Sequence, residues 1–586
     1  MTPTYHPAVV LLPLLLIQGT GVANATASLA AVVDVGTRIQ LAVSPQIIAQ
    51  TGAGLKRTMQ RPKNLRTVVS ADAPWELGFA IGVLGTSIVD KGRGHLQMWY
   101  SLRNRTLVNG DLDWGGGSSD TDHRILQAYA VSSDYGQTWQ KPILHRFWLG
   151  NSSANNIVGY LHNFGVPSHG GLNTITIFAD PHSPAEKRYR GISSPIHQTD
   201  NVTYVNHSYS ADGLNWTTAS EPWKMSGIAS GWEASGGADT QLSAFWDPRC
   251  APPTSAPSGA DAQHVQMGCY MLYNRFKKNS PYPKPWFRMV RRNRATSLDA
   301  SNGQGNWDLY PEEIVMAADA MDNNSHPAEN AAVPPVDYYG ATVWVDRAGI
   351  YWMAAVRNWH WDNGPFAWEG NHWKPGGQPL GSYDVALALS VDGGHFELLG
   401  ERRPWAQPSR DGTAGSRRLW LASPGPIASG NQTDADLHVY FTRSNAAELG
   451  TGAIDPSLAT PQWLSEIVVG SIRQDGLCAI EAPYGTVAVL TTTALTFPGG
   501  TELIVNLDTG GGSGSLVVIV KAAVNGSTLA TSTPVSANAV ELAVRGWMPG
   551  SEPIDSLAMA GTAVTIEFHL SSCLFYSFRF SGQQQV

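Results

Sequence analysis

Three acidic residues stand just ahead of runs with strand character: Glu76 in "APWELG", Asp239 in "GGADTQ" and Asp337 in "PPVDYYG". Two carboxyl groups facing one space can cleave an acetal C–O bond. One protonates the leaving oxygen, and the other attacks the carbon or activates water. A closed site and a like-charged neighbour would raise the pKa of the acid partner. We expect Glu76 and Asp239 to form the pair, Asp337 to orient or tune it, and Glu233 to be a spare acid.

Trp75, Asn155, Asn156 and Tyr338 lie at similar strand entrances and are expected to contact a substrate. The segment "RNWHWDNGPFAWEGNHWKPGG" adds Arg357, Trp359, His360 and Trp361, with Trp368 and Trp373 further on. A polar loop so rich in tryptophan suits a flat, polyhydroxylated partner such as a sugar ring, or else folds over a rim. Arg275, with Lys277, Lys278 and Arg288, could hold an acidic group or be solvated. Asp111, Asp113 and Asp120 offer oxygen ligands for a structural Ca²⁺, but their spacing misses the EF-hand pattern and a solvated loop is the simpler reading. No other cofactor or metal is implied.

What must position these residues is a repeat. "SSDYGQTW" (132–139), "SADGLNW" (210–216) and "SVDGGHF" (390–396) share a Ser-x-Asp turn, a glycine and a closing aromatic, and "SLDASNGQGNW" (297–307) is a looser copy. Upstream of each, two β-rich runs meet at an aspartate: Asp90, Asp180, Asp247 and Asp346. Each unit is thus four antiparallel strands. A fifth unit starts near Arg417 without the turn motif, and four-stranded units at this period predict propeller blades. The Ser-x-Asp turns and the hairpin aspartates are expected to be structural. The last hundred residues alternate in polarity between Gly-rich turns, which predicts a β-sandwich. The fold class expected is all-β: a five-bladed β-propeller followed by a β-sandwich. We place a signal peptide at 1–29, a segment leading into the propeller at 30–74, the propeller at 75–484 and the sandwich at 485–586.

Composition agrees. Charged residues are 15% of 586, with a formal net charge of −8, which gives no basic field for nucleic acid. The apolar run Val9 to Ile17 is too short for a membrane span and is followed by small residues, as in a signal peptide. Sequons begin at Asn24, Asn104, Asn151, Asn201, Asn206, Asn215, Asn323, Asn431 and Asn525, which fits a secreted glycoprotein. Four cysteines suggest two disulfides, Cys250–Cys269 and Cys478–Cys573, although three pairings exist.

The blade organisation from about Trp75 to Ser471, with a β-rich module after it, resembles the five-bladed propeller glycoside hydrolases of families 32 and 43, the invertase and arabinanase types. The Ser-x-Asp turn itself resembles the Asp box of sialidases. The first resemblance implies a glycosidase with acids on blades one, two and three, and a carbohydrate as partner. This chain departs from the invertase motifs: "PWELG" holds Glu76, "FADP" has alanine ahead of Asp180, and "ADTQ" holds Asp239. Fructan specificity is therefore not carried over. Two other readings stay open. A sialidase would use Arg275, Arg288 and Arg357, normally on six blades, and a lectin would bind sugar without turnover.

Overall fold

A computed structural model describes residues 32–582, apart from single residues, short loops and longer stretches at 113–124, 161–174, 225–238, 251–267, 299–312, 323–335, most of 360–381, 408–417 and 445–464. The described chain is β-structure with short 3₁₀ turns, in two parts: a propeller of five successive sheets and a two-sheet sandwich. The inner strands of the five blades are Phe79–Asp90, Ile175–Ala179, Asp239–Asp247, Asp337–Val345 and Arg418–Leu421. Each begins a sheet whose next two strands are its antiparallel neighbours in order.

Inner strands meet through small hydroxyl residues, which let backbones approach. The Ile177 N–H donates to Ser87 Oγ at 2.9 Å, Val343 N–H to Ser243 Oγ at 3.1 Å, and Thr342 Oγ1 to the Leu421 carbonyl at 3.2 Å. Thr86 and Thr442 hydroxyls lie 3.2 Å apart between blades one and five. The outermost strand of blade five is Lys63–Val69, from the start of the chain, paired with Ser465–Arg473. First and last segments thus share one sheet, and the ring has no open end.

The repeated turns are hairpin staples. In the second, Asp212 Oδ1 accepts the N–H groups of Leu214 (2.8 Å) and Asn215 (2.7 Å), while Ser210 Oγ accepts that of Gly213 at 2.8 Å. Asp134 and Asp392 repeat the arrangement. Burial works to raise the pKa of Asp134 and Asp212, but these hydrogen bonds override it and bring both down to about 2. The glycine has positive φ in all three (79°, 78° and 69°) because the turn needs it. The closing ring packs on the preceding blade: Trp216 on Trp99, Phe396 on Tyr273, and Trp139 of blade one on Tyr440 of blade five. The hairpin aspartates tie blades too. Tyr270 donates to Asp180 at 2.9 Å, and Tyr351 donates to Asp247.

One expected element moves. Asn155 and Asn156 of "NNIVGY", expected at the entrance of an inner strand, instead precede Ile157–Tyr160, which pairs with Ile125–Ser132 as the outer strand of blade one. The strand that follows the first Ser-x-Asp turn makes only a Val131–Gln140 bridge there. That leaves the sheet edge open for the returning chain.

In the sandwich, Ser515–Ala522 and Val564–Ser571 alternate buried and half-buried residues, as strands with one apolar face must. Phe497 stacks on Phe580 at 3.8 Å, and Phe568 lies 4.6 and 5.0 Å from Phe575 and Phe578. Val33–Asp34, Gln40–Leu41, Ile48–Thr51 and Lys56–Met59 join these sheets, so only Lys63–Val69 of the leading segment enters the propeller. Cys478–Glu481 is already a sandwich strand. The sandwich shares its core with blades four and five through Trp344, Trp352 and Trp405.

Cys250 and Cys269 form the expected disulfide. Cys478 and Cys573 do not: both are free and buried. Their strands pair Ile480 with Phe575. In that antiparallel register Cys478 stands opposite Ser577 and Cys573 opposite Ala482, about four residues or ~13 Å apart along the sheet. A disulfide needs Cα atoms within about 7 Å.

Candidate active site

Glu76 ends the 3₁₀ turn Pro74–Glu76, which carries the chain from the outer strand of blade five towards the inner strand of blade one. That path crosses the face of blade one. Glu76 is fully buried, and its carboxylate accepts from Tyr100 Oη at 2.7 Å and from Lys141 Nζ at 2.5 Å. Lys141 also holds Asp72 at 2.6 Å. Asn156 donates to Tyr100 Oη and to the Tyr129 carbonyl, both at 2.7 Å, and accepts from Trp75 Nε1 at 2.8 Å. Burial first, and then the Glu76 charge, push the Tyr100 hydroxyl well above its ordinary pKa, so it stays a neutral donor. Tyr100 and Tyr129 belong to the second and third strands of the blade, and Asn156 immediately precedes the outermost one. The structure thus gathers Glu76, Trp75 and Asn156 around Tyr100 of blade one. Asn155 is taken up locally, donating to the Phe147 carbonyl at 2.8 Å and accepting from Ile157 N–H at 3.1 Å.

A second group stands where the inner strands of blades three and four begin. Asp239 is the first residue of Asp239–Asp247, and its backbone pairs with Arg275. Asp337 is the first residue of Asp337–Val345, and its carboxylate lies 3.2 Å from Arg288 Nη1. The Arg275 and Arg288 guanidiniums lie 4.1 and 4.8 Å from the Tyr339 ring centre. A backbone irregularity between Tyr338 and Gly340 frees Tyr339 from the pairing. Tyr383 and Trp420 continue the aromatic row, with centres 4.7 and 5.5 Å apart in turn. Tyr339, Tyr383 and Trp420 are all buried.

Tyr338 and Arg357 are both buried, in a separate network. Tyr338 donates to Asp322 at 3.1 Å, and Arg402 ion-pairs with Asp322 at 3.0 Å. Arg357 grips Asp384 through two bonds of 2.7 and 3.0 Å and donates to the Arg402 carbonyl at 2.6 Å. Burial works to lower the Arg357 pKa, but the Asp384 carboxylate prevails and raises it. Of the three arginines considered for an acidic sugar, Arg275 and Arg288 stand together and Arg357 is spent on Asp384.

Trp359 closes the strand Tyr351–Trp359, paired with Ser382. Trp368 pairs with Trp373 in a two-stranded ribbon. His360 and Trp361 lie outside the described residues, as do Glu233, Asp113, Asp120 and the sequon asparagines Asn24, Asn201, Asn323 and Asn431. Asn104 and Asn206 fall within strands; Asn151, Asn215 and Asn525 are exposed. Among the described residues, no three His, Cys, Asp or Glu side chains gather as a metal site. No described helix is long and apolar enough to cross a membrane. Lys141, Asp384, Tyr383 and Trp420 were missed. Asp384 alone had a signal, being a lone acid in the apolar strand "YDVALALS".

No protein-family model and no curated protein matches the chain. Solved structures similar to it include a glycosyl hydrolase from Bacteroides ovatus (12% identity over 72% of this chain and 94% of that one, TM-score 0.37). A family 117 glycoside hydrolase from Zobellia galactanivorans is 11% identical over 72% of this chain and 92% of that one, with TM-score 0.32. The α-L-arabinofuranosidase Arb93A of Fusarium graminearum, in complex with an iminosugar inhibitor, is 10% identical over 72% and 98%, with TM-score 0.30.

Proposed function

We propose that the protein is a secreted glycoside hydrolase whose reaction centre lies at the entrances of the inner strands of blades three and four. One observation carries this reading: Asp239 and Asp337 each open a nine-residue inner strand, on consecutive blades, at the same end. These are the positions from which two carboxylates can serve one sugar, one as acid and one as nucleophile or base. Arg288 then orients Asp337, and Arg275 and Arg288, packed on the Tyr339 ring, bring positive charge beside it. Glu76 is reassigned to holding blade one, because its carboxylate is taken up by Tyr100 and Lys141. The signal sequence and sequons support the secretory route. The five-bladed ring and the module behind it support a place near families 32 and 43.

A lectin is the second reading, favoured by the fact that Asp337 is nearly fully buried and already ion-paired. The test is a screen of the purified protein on aryl-glycosides and natural glycans, with Asp239→Asn, Asp337→Asn and Glu76→Gln alongside. Turnover lost by at least about a hundredfold in the two aspartate variants, and kept in folded Glu76→Gln, is the expected result. Binding on a glycan array with no turnover in the parent would replace the enzyme by a lectin.

A further inference from the structure

The turn after Glu397–Leu398, the outer strand of blade four, has a strained backbone. Gly400, Glu401 and Arg402 follow one another with φ of +61°, +54° and +62°. Among the described residues, this is the one place where two adjacent non-glycine residues are left-handed. A residue with a Cβ crowds its own backbone there, so the shape persists only where other contacts hold it.

Arg402 makes those contacts with both its side chain and its backbone. Its guanidinium donates to the two carboxylate oxygens of Asp319 at 2.6 and 2.7 Å and lies 3.0 Å from Asp322. Both acids follow Glu313–Met316, the outer strand of blade three. The bond from Arg402 holds the Asp319 carboxyl below its ordinary pKa. The Arg402 carbonyl accepts from Arg357 Nη1 at 2.6 Å.

The two lines meet again at the inner strand of blade four. Asp322 has no solvent exposure and accepts from the Tyr338 hydroxyl at 3.1 Å. Arg357 is the cross-strand partner of Tyr338, so their side chains share a side of the sheet. The contacts thus close a ring from Tyr338 through Asp322, Arg402 and Arg357 back to Tyr338. Asp337 is the residue before Tyr338 and opens the strand. The irregularity between Tyr338 and Gly340 cuts these two residues off from the regular ladder beyond it, so they need anchors of their own.

We propose that Arg402 is a positioning residue for the reaction centre: by clamping Asp322 and Arg357 together, it fixes the Asp337–Tyr338 start of the blade-four inner strand. The role in reaction rests on Asp337 belonging to that centre. The hold on the strand does not.

The test uses the full chain and two readouts. Arg402→Met should speed hydrogen exchange of the amides in 336–341 at least about fivefold and leave those in 96–104 of blade one unchanged. Tyr338→Phe, which removes only the hydroxyl that reaches Asp322, should act in the same direction, and it reads the clamp even if Arg402→Met does not fold. Arg402→Lys should recover part of the protection, because it keeps the charge but not the paired bonds. Glu401→Gly relieves the turn and keeps the clamp, so exchange and turnover should stay within about twofold of the parent. On an aryl-glycoside that the parent cleaves, Arg402→Met should lower kcat at least about tenfold with KM within about twofold. Unchanged exchange in both Arg402→Met and Tyr338→Phe overturns the clamp. Faster exchange with unchanged kcat overturns the positioning role. A parent without turnover overturns the hydrolase reading, and the exchange result then still supports or overturns the hold on the strand.

Discussion

The Trp99 indole of blade one donates its N–H to the carbonyl oxygen of Gly213, in the Ser-x-Asp turn of blade two, at 2.7 Å. Tyr273 does the same for Gly393 at 2.8 Å, and Tyr440 of blade five for Gly136 of blade one at 3.4 Å. The turn therefore has two faces. Its aspartate closes its own hairpin, and its glycine is the docking point for an aromatic of the preceding blade. A Cβ on Gly213 would lie 2.4 Å from the Trp99 ring, and the glycine's φ is +78°. Trp99→Phe is expected to cost about 2–4 kcal/mol, through the lost bond and a cavity among Tyr129, Tyr189 and Trp216. Gly213→Ala should cost at least ~2 kcal/mol. Chemical denaturation measures both. A value below about 0.5 kcal/mol for either would mean that the blades are held elsewhere.

Lys141 is the positive partner of a carboxylate with no solvent exposure. Removing one partner of a buried pair strands the other, at about 3–5 kcal/mol. Lys141→Met should therefore destabilise strongly, and more than Glu76→Gln, which leaves an uncharged amide near Tyr100. The double variant should be more stable than Lys141→Met alone. A double-mutant cycle by urea unfolding measures this, and additive effects would sink the pairing. Activity per folded molecule should not change in Glu76→Gln, since its carboxylate is taken up by Tyr100 and Lys141.

The blade repeat was legible because its signals are local: Ser132, Asp134 and Gly136 bond to one another within a single turn. What was not legible depends on which strand pairs with which. "IVGY" is as good an outer strand as an inner one, and only its pairing with Ile125–Ser132 decides. The same holds for Cys478 and Cys573, whose strands are adjacent but whose register separates the thiols. The surroundings of Glu76 were hidden for a related reason. A residue just ahead of an inner strand lies near the axis only if the chain arrives from there, and here it arrives from the rim. Arg357 and Asp384 were each visible as a charge in an apolar strand, but their facing positions emerge only from the pairing.

Asp346, in the blade-four hairpin against the sandwich, accepts N–H groups of Ala348, Ile350 and the Trp352 indole. Burial raises its pKa to about 6 despite these bonds, and Asp475 adds to the rise. The native state therefore holds a proton between about pH 4 and 6 that the unfolded chain has released. This contribution is fully present below about pH 4 and falls as pH rises through 6, by up to ~3 kcal/mol. Asp346→Asn should remove that slope while lowering stability at acid pH, because an amide N–H would face the Trp352 donor. Stability measured from pH 4 to 7 checks this. An unchanged slope in the variant would show that Asp346 does not titrate in the window.

Cys478 and Cys573 are expected to remain thiols in the folded protein. Burial pushes their pKa values up to about 12 and about 11, with the charge of Glu397 adding to the rise at Cys478 and that of Asp508 at Cys573. Thiolate is the reactive form, so at neutral pH neither should react with an aromatic disulfide reagent while the protein is folded. Unfolding in denaturant without reductant should release two thiols per chain, since Cys250 and Cys269 stay bridged. Replacing both free cysteines by alanine should cost ~1–2 kcal/mol each through lost packing, far less than the several kcal/mol that go with removing a native disulfide. Finding no thiols in the unfolded, unreduced chain would mean that a second bridge exists. The strand pairing of Ile480 with Phe575 would then have to shift by about four residues to bring the two sulfurs together.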